Sequence, residues 1–169
     1  MKARLIDRMK GLFAELTGKN GFDRVDFVIL KTMLMLAAMD GAIGDDEIEQ
    51  FKGLAAKCSG YSGETFEAVW DEALRSAGYL LLQSRFLGRE ELVAAFVKEA
   101  EKDFVDEIVI ALAADRTRAF EFLERMASAD GDYSEIERAS ITALSQKVKA
   151  TREKLLDERY PRAAKFDRK

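Results

Sequence analysis

The sequence predicts an all-α protein, a compact bundle of about seven or eight helices. Apolar residues recur at three- and four-residue spacing along most of the chain. No segment sustains the alternation of a half-buried strand. Among 169 residues there is one proline, Pro161, so long helices can run without a forced break. Hydrophobic residues make up 48%, enough to fill one core, and charged residues make up 34%, enough to solvate its surface.

The elements follow in order. Leu5, Met9, Leu12, Phe13 and Leu16 share one face of an opening helix, which Gly18-Lys19-Asn20-Gly21 ends. Asp23 suits the cap of a second helix, with Asp26 three residues on. That helix carries Phe27, Val28, Leu30, Met33, Leu34 and Leu36, is apolar on most sides, and reads as the buried centre. Asp40 to Gly44 turn the chain into a third helix, from about Asp45 to Lys57. Ser62 is placed to cap a fourth, through Phe66, Val69, Trp70 and Leu74. Gly78 to Gly88 fits no single element. Arg89 to Glu101 reads as a helix, with another starting at Asp103 or Asp106, and Asp115 to Ala129 continues it or forms a separate one. After Asp130-Gly131 comes a helix through Ile141, Leu144 and Val148. The division expected is one helical domain over 1–150 and a basic tail over 151–169.

Composition excludes several chemistries. There is no His, which removes the usual Ser–His and Cys–His nucleophile pairs and the commonest nitrogen metal ligand. The single Cys58 cannot close an internal disulfide, and a zinc cluster needs several such ligands. Cys58 reads as a small packed residue at a helix end, in a reducing cytoplasm. The longest apolar runs, Met33–Met39 and Ile108–Ala114, are far short of the ~20 residues a membrane span needs, and the opening residues lack a signal-peptide core. Trp70 stands isolated rather than in a sugar-binding platform, so paired-carboxylate glycoside chemistry has no support. The expectation is a protein that is not an enzyme.

Charge is unevenly spread. Residues 147–169 hold nine basic and four acidic side chains, against a net −4 for the whole chain, so the remainder is strongly acidic. An acidic body argues against nucleic acid, and no binding motif for it appears. The basic tail and the opening helix suit either an anionic surface or, more simply, solvent and the bundle.

The most informative feature is an internal repeat. Residues 33–54 match residues 123–144 without a gap: Asp40-Gly41 aligns with Asp130-Gly131, Glu47 with Glu137, Phe51 with Ile141 and Leu54 with Leu144. The offset exceeds solenoid periods and suits a duplicated helical hairpin, over about 25–58 and 115–149, packed as pseudo-symmetric halves. Gly41 and Gly131 fall where a helix ends in a left-handed residue. Ile43 and Tyr133 are placed to dip into the core. Gly44 and Ser134 occupy N-cap positions, which puts Glu47 and Glu137 at the third helical residue, the capping-box position. One reading makes these carboxylates caps only. The other makes Asp40, Glu47, Asp130 and Glu137, with Asp45 and Asp132 as additional donors, an all-oxygen site for a hard cation such as Ca²⁺ or Mg²⁺. An EF-hand is excluded: counting from Asp130, position 6 is Glu135 rather than Gly and position 12 is Ile141 rather than Glu.

In Ala38-Met39-Asp40-Gly41-Ala42-Ile43-Gly44-Asp45-Asp46-Glu47 and Ser128-Ala129-Asp130-Gly131-Asp132-Tyr133-Ser134-Glu135-Ile136-Glu137, the chain resembles the TerB-like tellurite-resistance family. The resemblance spans about Val25 to Lys149. Met39 is bulkier than the small residue the pattern has there, and Tyr133 larger than the usual aliphatic. The resemblance implies a helical stress-response module linked to tellurite or other toxic oxyanions and a metal-binding role. It also implies a protein partner, in a membrane-associated complex or at the inner membrane surface. The alternative is a helical scaffold or adaptor whose acidic loops are structural. Oligomeric state is not legible.

Overall fold

The computed structural model describes residues 24–41, 43–58, 61–114 and 134–159, with Glu121 as an isolated helical position. Five helices lie in these segments and no strand does: α1 (Arg24–Met39), α2 (Asp45–Cys58), α3 (Gly63–Gln83), α4 (Arg89–Ala114) and α5 (Glu135–Arg159). The all-α class is therefore correct. The expected opening helix, the Asp115–Ala129 segment, the Asp130-Gly131 corner, Tyr133 and the Cys58 side chain lie outside the described residues.

Helix α1 is the centre. Phe27, Ile29, Leu30, Met33, Leu34, Met35, Leu36, Ala38 and Met39 are all buried, so it hides side chains around nearly its whole circumference. Its buried hydroxyl, Thr32, donates back to the Val28 carbonyl at 2.8 Å. Three of the methionines, Met33, Met35 and Met39, fill the core.

The other helices cover it in pairs. Side chains join α2 to α3: Lys52 bonds Glu67 at 2.8 Å and Phe51 meets Trp70 at a centroid distance of 5.8 Å. Phe66 stacks on Trp70, which is fully buried and thus part of the core rather than a ligand platform. Tyr61, between these helices, meets Phe27 of α1 edge to face at 5.7 Å. Helices α3 and α4, joined by a short turn, form a hairpin in which Ser76 reaches Glu99 at 3.4 Å. Helices α4 and α5 run parallel. Arg89 at the start of α4 pairs with Glu135 at the start of α5, and Glu101 pairs with Lys147 twelve residues further along both.

Three spans differ from the sequence expectation. Gly78–Gly88 resolves into the end of α3 and a turn over Ser84–Gly88. Gly78 is accommodated within the helix because neighbouring Ala77 and Leu80 are buried and hold it. Arg89 to Ala114 is one helix, not two. Asp103 does not act as an N-cap, because its carboxylate is engaged by Lys31 of α1 at 2.9 Å. The last described helix continues beyond residue 150 to Arg159, with Leu155 against the core.

Candidate functional site

The first corner is set by its glycine. Helix α1 ends at Met39, and Gly41 takes φ +66° while its N–H donates to the Ala38 carbonyl at 3.0 Å. Ile43 then packs against the core, as its spacing predicted. The Gly44 carbonyl accepts the Glu47 and Ile48 N–H groups, both at 3.0 Å, which starts α2. The Glu47 carboxylate turns back to accept the Gly44 N–H at 3.2 Å. Glycine has no side chain to complete the reciprocal half of this box.

The start of α5 carries the full version. Ser134 N–H donates to the Glu137 carboxylate at 2.7 Å, and Glu137 N–H donates to Ser134 Oγ at 3.3 Å. Glu137 is 1% exposed, so its charge is held by hydrogen bonds and by the positive end of α5 rather than by water. Arg89 fixes the same turn from outside. Its two terminal nitrogens donate to the Glu135 carboxylate at 2.8 Å and to the Glu135 carbonyl at 3.2 Å.

The first corner meets the start of α5 through Asp40. Ser134 Oγ donates its one proton to Asp40 Oδ1 at 2.9 Å while a lone pair of the same oxygen accepts from Glu137 N–H. Asp40, Ser134 and Glu137 thus form a continuous hydrogen-bonded chain between two segments of the repeat. Next to it, Ser140 points its hydroxyl at Met39 Sδ at 3.8 Å. Met39, the residue at odds with the family pattern, is therefore in the contact between α1 and α5.

Of the six expected donors, Asp40, Asp45, Glu47 and Glu137 are described, whereas Asp130 and Asp132 lie outside. Asp40 is brought to the turn that holds Glu137. Asp45 is exposed as the first residue of α2 and Glu47 is half-buried beside it. Among the described residues no three Asp, Glu or Cys side chains converge closely enough to hold a metal ion. Sequence reasoning did not anticipate the Asp40–Ser134 bond or the Arg89 clamp. Ser134 was visible as a cap, but its second bond depends on how distant helices pack.

No family model, no curated protein and no solved structure matches the chain. The family resemblance therefore stands on the two motifs alone.

Proposed function

We propose that this chain is a non-enzymatic, TerB-like stress-response module for tellurite or other toxic oxyanions. In this reading, two pseudo-symmetric Asp-Gly corners, in a bundle of seven or eight helices, act together. Asp40, Glu47, Asp130 and Glu137, with Asp45 and Asp132, present oxygen donors to a divalent cation such as Ca²⁺ or Mg²⁺, or to a basic partner protein. The protein works in the cytoplasm, in part at the inner membrane surface. The observation that supports the reading best is the 2.9 Å bond from Ser134 to Asp40, which sets the first corner against the helix start that follows the second. When bound, a cation would offset the repulsion between carboxylates gathered there. The test is amide NMR on metal-free protein titrated with Ca²⁺, Mg²⁺ or Mn²⁺. Shifts centred on Gly41 and Gly131 are expected at millimolar metal or below; their absence discards the cation version.

A second reading, a helical scaffold with structural loops, is favoured by the capping bonds themselves. Glu47 and Glu137 each spend an oxygen on a backbone N–H. Under it, Asp40→Asn and Asp130→Asn change stability by the same amount with and without metal. A loss confined to the metal-loaded protein sinks it.

A further inference from the structure

Helix α3 ends in an exposed apolar stripe. Tyr79 is 44% exposed, Leu82 51% and Phe86 75%, and among the described residues these are the large hydrophobic side chains most open to solvent. They lie on one face. The hydrogen-bonded turns continue past Gln83, since Phe86 N–H donates to the Gln83 carbonyl at 3.0 Å and Leu87 N–H to the same carbonyl at 2.9 Å. Spacings of three and four residues therefore keep the three side chains aligned. Arg75, four residues before Tyr79, extends the stripe, and Arg85 is exposed beside Phe86.

Arginines lie along the same segment. The end of α3, its turn and the first residue of α4 carry Arg75, Arg85 and Arg89, with Glu90 and Glu91 following directly and the Glu91 carboxylate accepting the Gly88 N–H at 3.2 Å. Arg89 is engaged by Glu135, which leaves Arg75 and Arg85 as the exposed cations of the patch. We infer that the α3–α4 turn is a lipid-contacting surface: Phe86, Leu82 and Tyr79 enter the interface of an anionic bilayer and Arg75 and Arg85 meet its headgroups. An aromatic at a turn, three-quarters exposed and flanked by arginine, is shaped to enter a soft interface rather than to receive a partner side chain. A second copy fits worse. Three side chains fall well below the roughly 800 Å² per partner of a standard interface, and a two-fold contact would set like arginines together. No helix among the described residues is long and apolar enough to cross a membrane, so the contact is peripheral.

This gives a surface to the peripheral association proposed above, and because its test uses lipid without metal, it fails or succeeds separately from the corner chemistry. The full chain is co-sedimented with phosphatidylcholine vesicles containing about 30% phosphatidylglycerol, and with pure phosphatidylcholine. Binding is expected to the anionic vesicles and to weaken by at least about tenfold in the Leu82→Ser/Phe86→Ser variant. Arg75→Gln/Arg85→Gln should remove the preference for the anionic vesicles. Unchanged far-ultraviolet dichroism and unchanged fluorescence of buried Trp70 establish that the variants are folded. A second reporter, Phe86→Trp, should be quenched by brominated lipid. Vesicle binding that is absent, or that survives Leu82→Ser/Phe86→Ser, overturns the inference. So does self-association in ultracentrifugation that the same pair abolishes, which would make the stripe a contact between copies.

Discussion

Lys31 of α1 lies 2.9 Å from Asp103 of α4 and 3.5 Å from Glu72 of α3, with its own side chain buried. It is the one cation on the central helix after Arg24, and it ties that helix to two neighbours at once. Removing Asp103 strands the buried Lys31 charge, whereas removing Lys31 leaves carboxylates that are partly or largely open to water. Asp103→Ala should therefore cost about 2 kcal/mol in urea unfolding, less than a fully buried pair because Asp103 is partly exposed. Lys31→Met should cost distinctly less. If Lys31→Met proves the worse of the two, the pair is a net source of stability.

The Asp40–Ser134 bond predicts energetic coupling across the chain. Asp40→Ala and Ser134→Ala should each destabilise by about 1 kcal/mol, and the double variant by less than their sum, with a coupling of about 0.5–1.5 kcal/mol. Asp40→Asn keeps an acceptor oxygen and should retain most of that stability. A double-mutant cycle in denaturant reads the coupling directly.

Capping should be unequal at the two helix starts. Glu137 is buried in a reciprocal box, while Glu47 faces a glycine and is half-buried. Glu137→Ala is expected to cost about 2 kcal/mol and Glu47→Ala about 0.5–1 kcal/mol by thermal unfolding. Glu137→Gln, which still accepts from Ser134 N–H, should recover much of the difference.

Two glycines with similar open surroundings should respond in opposite directions. A Cβ at Gly41 or at Gly78 would meet no heavy atom within 4 Å. Gly41 has φ +66°, so Gly41→Ala should destabilise by about 1 kcal/mol through backbone strain alone. Gly78 sits inside α3, where Gly78→Ala should stabilise by about 0.5–1 kcal/mol. Equilibrium unfolding of both variants checks the pair.

Between α2 and α3, Lys52 donates to Glu67 at 2.8 Å, and that hydrogen bond, with the nearby carboxylates, raises the Lys52 pKa above its usual 10.5. A raised cation pKa contributes stability in full below the unfolded value and loses it as pH climbs through the folded one. The stability gap between the parent chain and Lys52→Met should thus hold at neutral pH and close only above about pH 10.5. A gap that closes near neutrality contradicts the pairing.

Much of this was legible in the residues. The apolar circumference of α1 marked it as central, and the Gly41, Gly44–Glu47 and Ser134–Glu137 spacings foretold the left-handed turn and both carboxylate caps. Local signals of this kind depend only on neighbours in sequence. The continuity of Arg89–Ala114 was not legible, because Asp103 looks like a cap until Lys31 is known to face it. Likewise, nothing near Gly78 distinguishes a break from a tolerated glycine in a packed helix. The Asp40–Ser134 bond joins residues 94 apart, and no spacing rule reaches that far.

That distance also orders events during synthesis. The central helix leaves the ribosome before its last described cover, since Ile141, Leu144 and Val148 of α5 belong to the same core. Until those residues emerge, nascent chains leave open the part of the α1 surface that α5 covers, including Met39. Chaperone demand should therefore fall late and abruptly, once Ser134 is available to close on Asp40.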